Sequence, residues 1–221
     1  MRARYRAGLG GAVAAVITAT AWTAPAWGMT GPVWNGVSSR HMAQMTAQST
    51  AMPAMVPATT AALDNDIAAA RIATAKYSTS LARAKDDGYR IITKMMPSMG
   101  YHFLNPKISG FNVRRPPILV YEHTGHGWQL GALEWVFTTM PATPPLPDAT
   151  FGTFPAACHY NDGTFIPDKN AATCPKKAPR TGAAFFFWHP ELFTMHVWVW
   201  YPNPNGLYAS TNPLVAPFNK G

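Results

Sequence analysis

The chain has 221 residues, with 18 lysines and arginines against 10 aspartates and glutamates and a formal net charge of +8. The basic residues are dispersed, which excludes the charged stripe with interleaved aromatic residues that is typical of nucleic-acid binders. The length is sufficient for one domain with its own hydrophobic core.

Residues 1–28 have the pattern of a cleaved signal peptide. Three arginines precede an apolar run at 8–21 that is too short to span a bilayer comfortably. Small residues then offer a cleavage site near Ala26 or Gly28. We expect a secreted protein, extracellular or held in the cell envelope, with no transmembrane segment left after cleavage.

Residues 29–62 are rich in Ala, Thr, Ser, Met and Pro without a sustained period, which predicts a mobile linker. Two Met-x-x-Met pairs and a histidine lie in this linker: His41, Met42, Met45, Met52 and Met55. Thioethers and imidazole are soft ligands that suit Cu(I). Biased composition explains the same residues more simply, and we favour that interpretation.

Residues 63–221 are predicted to form a single α+β domain. Its first element is a helix, because apolar and small residues recur every three or four positions from Ile67 to Ala84. Asp64 or Asn65 can cap this helix, and Asp86-Asp87-Gly88 ends it. We expect this one N-terminal helix to pack on an antiparallel sheet of about five strands.

Alternating or continuous apolar runs predict the strands, and the turn Thr124-Gly125-His126-Gly127 joins two of them as a hairpin. The five predicted strands are 89–93, 118–123, 128–138, 183–188 and 193–201. Prolines and a glycine predict an irregular segment at 95–106.

Residues 139–182 are predicted to form a long loop excursion, because their many prolines are unfit for a central strand. This stretch contains both cysteines, Cys158 and Cys174. Two cysteines in an exported chain predict a disulfide bond, which typically contributes ~3 kcal/mol by closing a loop of this length.

Two predicted strands each place one imidazole or carboxyl side chain in a largely apolar run. His196 lies in FTMHVWVWY (193–201) and Glu134 in WQLGALEWVFT (128–138). Alternate side chains share a face, and both faces of these strands are largely apolar. Because burying an imidazole or a carboxylate alone is costly, we predict that His196 faces Glu134 across or near a strand pair. A structural hydrogen bond explains this pair as well as a functional site does.

A third polar side chain, His102, lies in the irregular segment MMPSMGYHFLNP (95–106). Loops on a rigid sheet are where ligands are usually bound. Together His102, Glu134 and His196 form a two-histidine, one-carboxylate set that suits a transition metal with open positions. We predict Cu or Zn, and Met99 as a fourth ligand would favour copper.

An apolar ligand pocket is the alternative use of the same region. Its predicted residues are Tyr101, Glu122, Trp135 and Trp198, and Glu122 is expected at the rim because it lies next to the hairpin turn. The other histidines are weaker candidates. His123 and His126 flank the turn, and His159 and His189 lie beside a cysteine and before a proline.

Six short motifs resemble those of a group of uncharacterised exported bacterial proteins. The motifs are MGYHFLNP (99–106), ILVYE (118–122), GALEWV (131–136), HVWVW (196–200), NPNGLY (203–208) and STNP (210–213). The resemblance covers about residues 77–213 and implies a shared fold with His102, Glu122, Glu134 and His196 at motif positions. It implies no activity. The excursion with its cysteine pair and the FNKG end depart from the pattern.

We therefore expect a secreted small domain whose His/Glu pocket binds a transition metal or a small ligand. An enzyme is the first alternative, either metal-assisted or with Glu134 as general base and His196 or another histidine as its partner. The second alternative is a structural or surface-interaction domain without a ligand. The oligomeric state is open.

Overall fold

The computed structural model describes residues 58–218. The predicted signal peptide at 1–28, most of the predicted linker and its Met-x-x-Met pairs lie outside the described residues. Within 58–218, no helix is long and apolar enough to cross a membrane.

The predicted single helix consists of two helices. Helix α1 spans Ala58–Thr74 and helix α2 spans Leu81–Asp86, with a short 3₁₀ turn at Ala75–Tyr77 between them. The first helix begins six residues before the predicted cap at Asp64 and lies well inside the chain. At its last residue the Thr74 hydroxyl donates back to Ala70 O at 2.7 Å, a bond that tends to bend a helix, and the 3₁₀ turn follows directly.

The second helix has the expected capping chemistry. Ser80 accepts a hydrogen bond from the backbone N–H of Arg83, and Gly88 follows the helix with a φ of 101°. Asp87 opposes the helix dipole but is held by Lys76 Nζ at 2.6 Å and Tyr77 OH at 2.8 Å.

The main sheet has six antiparallel strands rather than about five, in the order β1-β2-β3-β4-β9-β5. The strands are β1 Arg90–Met96, β2 Gly100–Leu104, β3 Ile118–Thr124, β4 Gly127–Phe137, β5 Gly152–Phe154 and β9 Leu192–Val197. The prediction that residues 95–106 are irregular was wrong in part, because this segment contains β2. This strand pairs with both of its neighbours in the sheet.

The predicted hairpin between β3 and β4 is confirmed, and Gly127 in its turn has a φ of 117°. A register shift follows Val120, so that Val120 pairs with Ala132 while Tyr121 pairs with Leu130. The unpaired Gly131 is a β-bulge that reverses the alternation of the strand. Leu130 consequently packs with the helices and not on the face of Glu134.

The excursion at 139–182 is not a loop throughout. It contains β5 of the main sheet and the strands β6 Ala157–Tyr160 and β7 Phe165–Pro167. These two strands and β8 Phe185–His189 form a second antiparallel sheet in the order β7-β6-β8. The predicted disulfide between Cys158 and Cys174 is confirmed and links β6 to the segment that follows β7.

The main sheet is covered on both faces. One face packs against the helices through residues such as Ala70, Leu81, Leu133 and Trp135, which we call the helix-side core. The other face carries a smaller cluster, the cavity-side core, formed by Ile92, Ile118, Val120, Ala132, Trp198 and Val215. Burial of each large aliphatic side chain contributes about 1.5–3 kcal/mol.

Strand β9 is shorter than the predicted 193–201 and ends at Val197. Gly131 O accepts hydrogen bonds from the backbone N–H groups of Trp200 and Tyr201. The chain therefore leaves the regular ladder, and Trp200 packs on the helix side, where its indole N–H donates to the Thr74 hydroxyl at 2.9 Å.

Candidate functional site

Glu134 and His196 are directly opposite each other in the β4–β9 ladder, which confirms the predicted proximity. Both are buried, at 7% and 4% exposure. Within the described part of the chain, neither ring nitrogen of His196 has a hydrogen-bond partner. The pair therefore shares a register position without the hydrogen bond that would make it a simple structural lock.

His102 lies on the same sheet face and approaches Glu134 from the side opposite to His196, across strand β3. Its Nε2 lies 3.6 Å from Glu134 Oε2, and its ring centroid lies 6.1 Å from that of His196. His102 is on β2 rather than on a loop, opposite Thr93 of β1. The Thr93 hydroxyl oxygen lies 2.8 Å from His102 Nδ1 and accepts from the His102 backbone N–H at 3.2 Å. The imidazole is therefore held in a fixed orientation.

Burial favours the uncharged form of all three side chains. It raises the pKa of Glu134 to about 8 and lowers the pKa of His102 to about 4. The pKa of His196 falls to about 3 by burial and by the nearby His102. Near pH 7 the contact of His102 with Glu134 thus joins an imidazole and a carboxylic acid that are mostly neutral, and is not an ion pair.

His102 and Glu134 line a cavity of about 370 Å³. Most of its wall is apolar and comes from the main sheet, including Ile92, Met96, Leu104, Ile118 and Val136. Met99, the predicted fourth ligand, lines it as well, whereas His196 is not among the residues that line it. The smaller sheet contributes Phe187, so the cavity lies between the two sheets.

Two further histidines, His159 of β6 and His189 of β8, line the same cavity. Sequence reasoning ranked them low because they flank a cysteine and a proline. All four residues of β6 are buried, so this strand has no alternation that would have indicated which side His159 faces. Their position follows only from the pairing of β6 with β8.

Glu122 is not the rim residue that its place near the turn predicts. It is 0% exposed, and neither carboxyl oxygen has a hydrogen-bond partner within the described residues. Burial raises its pKa to about 8. Two glycines make room for it, since a Cβ on Gly100 would lie 2.5 Å from Glu122 Oε1 and one on Gly131 would lie 3.6 Å from it.

The predicted aromatic pocket residues lie outside the cavity wall. Tyr101 contacts the ring of Trp128 at 4.9 Å, and Trp135 belongs to the helix-side core. Trp198 lies in the cavity-side core, 4.9 Å from the ring of His196, and donates its indole N–H to Ala209 O at 2.7 Å. His123 and His126 are exposed at the hairpin.

The described residues bring His102, Glu134 and His196 to one sheet face. Among residues 58–218, no three or more His, Cys, Asp or Glu side chains are arranged to hold a metal ion together. The metal expected at this set therefore stays a prediction. Comparisons of the chain with protein-family models, with curated proteins and with solved structures find no match.

Proposed function

We propose that the chain is a binding module that holds a small, uncharged and largely apolar molecule in the cavity between its two sheets. The observation that carries this proposal is the cavity itself. Its volume of about 370 Å³ falls in the range of small-ligand sites, and its wall is mostly apolar with a few polar groups. Such a wall favours burial of an apolar body with one polar handle.

The charge state of the wall supports an uncharged ligand. With a pKa of about 8, Glu134 is mostly a carboxylic acid near pH 7, and His102, with a pKa of about 4, is a neutral imidazole. An acid O–H donates and an imidazole nitrogen donates or accepts, so both can meet an alcohol, phenol, ketone or amide. A charged ligand would lose its hydration without gaining a counter-charge from these groups.

Export from the cytoplasm belongs to the same proposal. The disulfide between Cys158 and Cys174 supports an oxidising compartment. The signal-peptide pattern of residues 1–28 supports secretion, with cleavage near Ala26 or Gly28. Together they support a binding function outside the cell or in its envelope.

An enzyme at this site is the second candidate, and a specific observation favours it. Glu134 combines a pKa of about 8 with a cavity-facing position and an imidazole 3.6 Å away. General acid–base groups work best with a pKa near the operating pH. For an enzyme, Glu134→Gln should abolish turnover of a bound molecule while leaving its binding intact; for a binding module, no molecule that binds should be transformed.

Matched small molecules test the binding proposal. Phenol, benzyl alcohol and benzamide should raise the thermal midpoint of the protein and show saturation transfer in ligand-observed NMR, whereas benzoate and benzylammonium should not. Val136→Trp fills the cavity and should abolish the response. Ile72→Trp, at an exposed position of α1, is the matched control and should keep it.

The opposite results would contradict the proposal. An equal response of wild type and Val136→Trp would place the probe elsewhere on the molecule. A wild type that responds to none of the uncharged probes would leave the domain as a structural or surface-interaction module.

A further inference from the structure

The imidazole rings of His159 and His189 meet in the cavity wall through the same ring nitrogen. Their Nε2 atoms lie 3.0 Å apart. The Nδ1 of His159 lies 2.8 Å from Ile92 O, and the Nδ1 of His189 lies 2.6 Å from Pro190 O. A carbonyl oxygen only accepts hydrogen bonds, so both Nδ1 atoms carry the hydrogen and donate it.

This tautomer leaves a lone pair on each Nε2 when the imidazoles are neutral. Two lone pairs at 3.0 Å repel each other unless a positive centre lies beside them. That centre is either a proton or a metal ion.

The surroundings of both rings are those of metal ligands. Metal-binding histidines characteristically donate their second ring N–H to a backbone carbonyl or carboxylate, and both rings do so here. The ring of His159 is also stacked on Phe187, with centroids 4.7 Å apart and planes 4° from parallel. At 1% and 8% exposure, neither histidine is free to turn to solvent.

The distance between the two nitrogens indicates the class of metal. With metal–nitrogen bonds of about 2.0–2.1 Å, nitrogens 3.0 Å apart subtend about 90–100° at the ion. This is the angle between neighbouring ligands in a square-planar or tetragonal site rather than in a tetrahedral one. Imidazole ligands in that arrangement are typical of Cu(II) and Ni(II).

We propose that His159 and His189 are the protein ligands of a Cu(II)- or Ni(II)-class ion whose remaining coordination positions open into the cavity. The site differs from the set of His102, Glu134 and His196 in both residues and sheet. It does not depend on the proposed organic ligand, because the two nitrogens would bind the ion whether or not the cavity holds another molecule. Water fills the open positions when the cavity holds no ligand.

The test is metal binding to the full mature chain purified without a histidine tag. Calorimetric titration with CuCl₂ and with NiCl₂ should show one ion bound at this site. Electron spin-echo spectroscopy of the Cu(II) form should show two imidazoles. His189→Gln should weaken binding at least about tenfold, since even changes to groups that support a metal ligand cost this much. The spectroscopic count on the wild type needs no variant, so it stands if a substitution impairs folding.

Two control variants locate the site. His126→Gln at the exposed hairpin and His41→Gln in the predicted linker should each retain the wild-type affinity. Binding that survives His189→Gln but is lost in His102→Gln or His41→Gln would overturn the proposal. So would an absence of binding together with an NMR signal from one proton shared between the two Nε2 atoms.

Discussion

Buried polar atoms in this domain divide into those with partners and those without. His102 has the Thr93 hydroxyl at its Nδ1, whereas both ring nitrogens of His196 have no partner among the described residues. Loss of a partner from a buried polar atom is costly, but removal of an atom that has no partner is not. The two histidines should therefore respond differently to substitution, although both lie on one sheet face.

Thr93→Val should lower the free energy of unfolding by about 1–3 kcal/mol, because it leaves His102 Nδ1 buried without a partner. His196→Leu should change it by less than about 1 kcal/mol, because it removes two unpartnered nitrogens and keeps a similar volume. Urea denaturation monitored by tryptophan fluorescence measures both values. A larger loss for His196→Leu than for Thr93→Val would show that the His196 nitrogens hold a partner, such as a buried water.

At the scale of elements, one glycine at the start of β2 decides whether this strand fits beside β3. Gly100 has a φ of 111°, and a Cβ there would lie 2.5 Å from Glu122 Oε1 and 2.7 Å from Tyr121 O. Gly206 has nearly the same φ, 110°, but nothing lies within 4 Å of its Cβ position. Substitutions at the two positions therefore distinguish the cost of backbone strain from the cost of a steric clash.

Gly206→Ala should cost only the strain of a left-handed backbone, about 1–3 kcal/mol. Gly100→Ala should cost clearly more, because its methyl group meets a backbone oxygen as well as a carboxyl. The difference between the two thermal midpoints measures the close approach. Equal losses would mean that β2 shifts away from β3 without cost, which the pairing of its residues with 118–121 argues against.

The same strand explains where sequence reasoning succeeded and where it failed. Glu134 and His196 could be placed opposite each other because each interrupts a long apolar run, and burial makes such a residue conspicuous. Strand β2 could not be predicted from the sequence, because it has only five residues between Pro97 and Pro106 and the first of these is a glycine. Short strands between breakers have too few residues for a period of two to emerge.

At the scale of the whole molecule, the second sheet was beyond prediction for a related reason. Strand β7 has three residues and ends in Pro167, and β6 is buried at all four positions. The cavity arises only when this sheet and the main sheet meet. His159 and His189 come into contact although 30 residues separate them in the sequence, and no local pattern encodes such a contact.

Buried ionisable groups should give the domain a stability maximum near pH 6.5. The pKa of Glu122 and of Glu134 is raised from 4.5 to about 8, so the folded chain retains protons that the unfolded chain releases, and the stability contributed by these two groups is lost as pH rises from 4.5 to 8. The pKa of His102 and His159 is lowered from 6.5 to about 4, and that of His196 to about 3. Below pH 6.5 the unfolded chain therefore binds more protons at these histidines than the folded chain does. The effect of the three histidines is larger than the opposite effect of the two carboxyl groups, so the net stability falls as pH drops.

Urea midpoints between pH 5 and pH 9 measure this profile. Glu122→Gln removes one of the two raised carboxyl groups, so the fall above pH 6.5 should be shallower by roughly half. Glu191→Gln, at an exposed carboxyl, is the control and should keep the wild-type slope. Stability that rises between pH 6.5 and pH 8 would show that Glu122 and Glu134 are ionised in the folded chain.

The proposed function requires that the space between the two sheets be an open, mostly apolar binding cavity. A crystal structure of the protein under xenon pressure tests it most directly, because xenon enters apolar cavities without needing a specific contact. We predict xenon density between Ile92, Val136 and Phe187, next to the carboxyl group of Glu134. A space closed by inward-turned side chains, with no xenon between the sheets, would contradict the account.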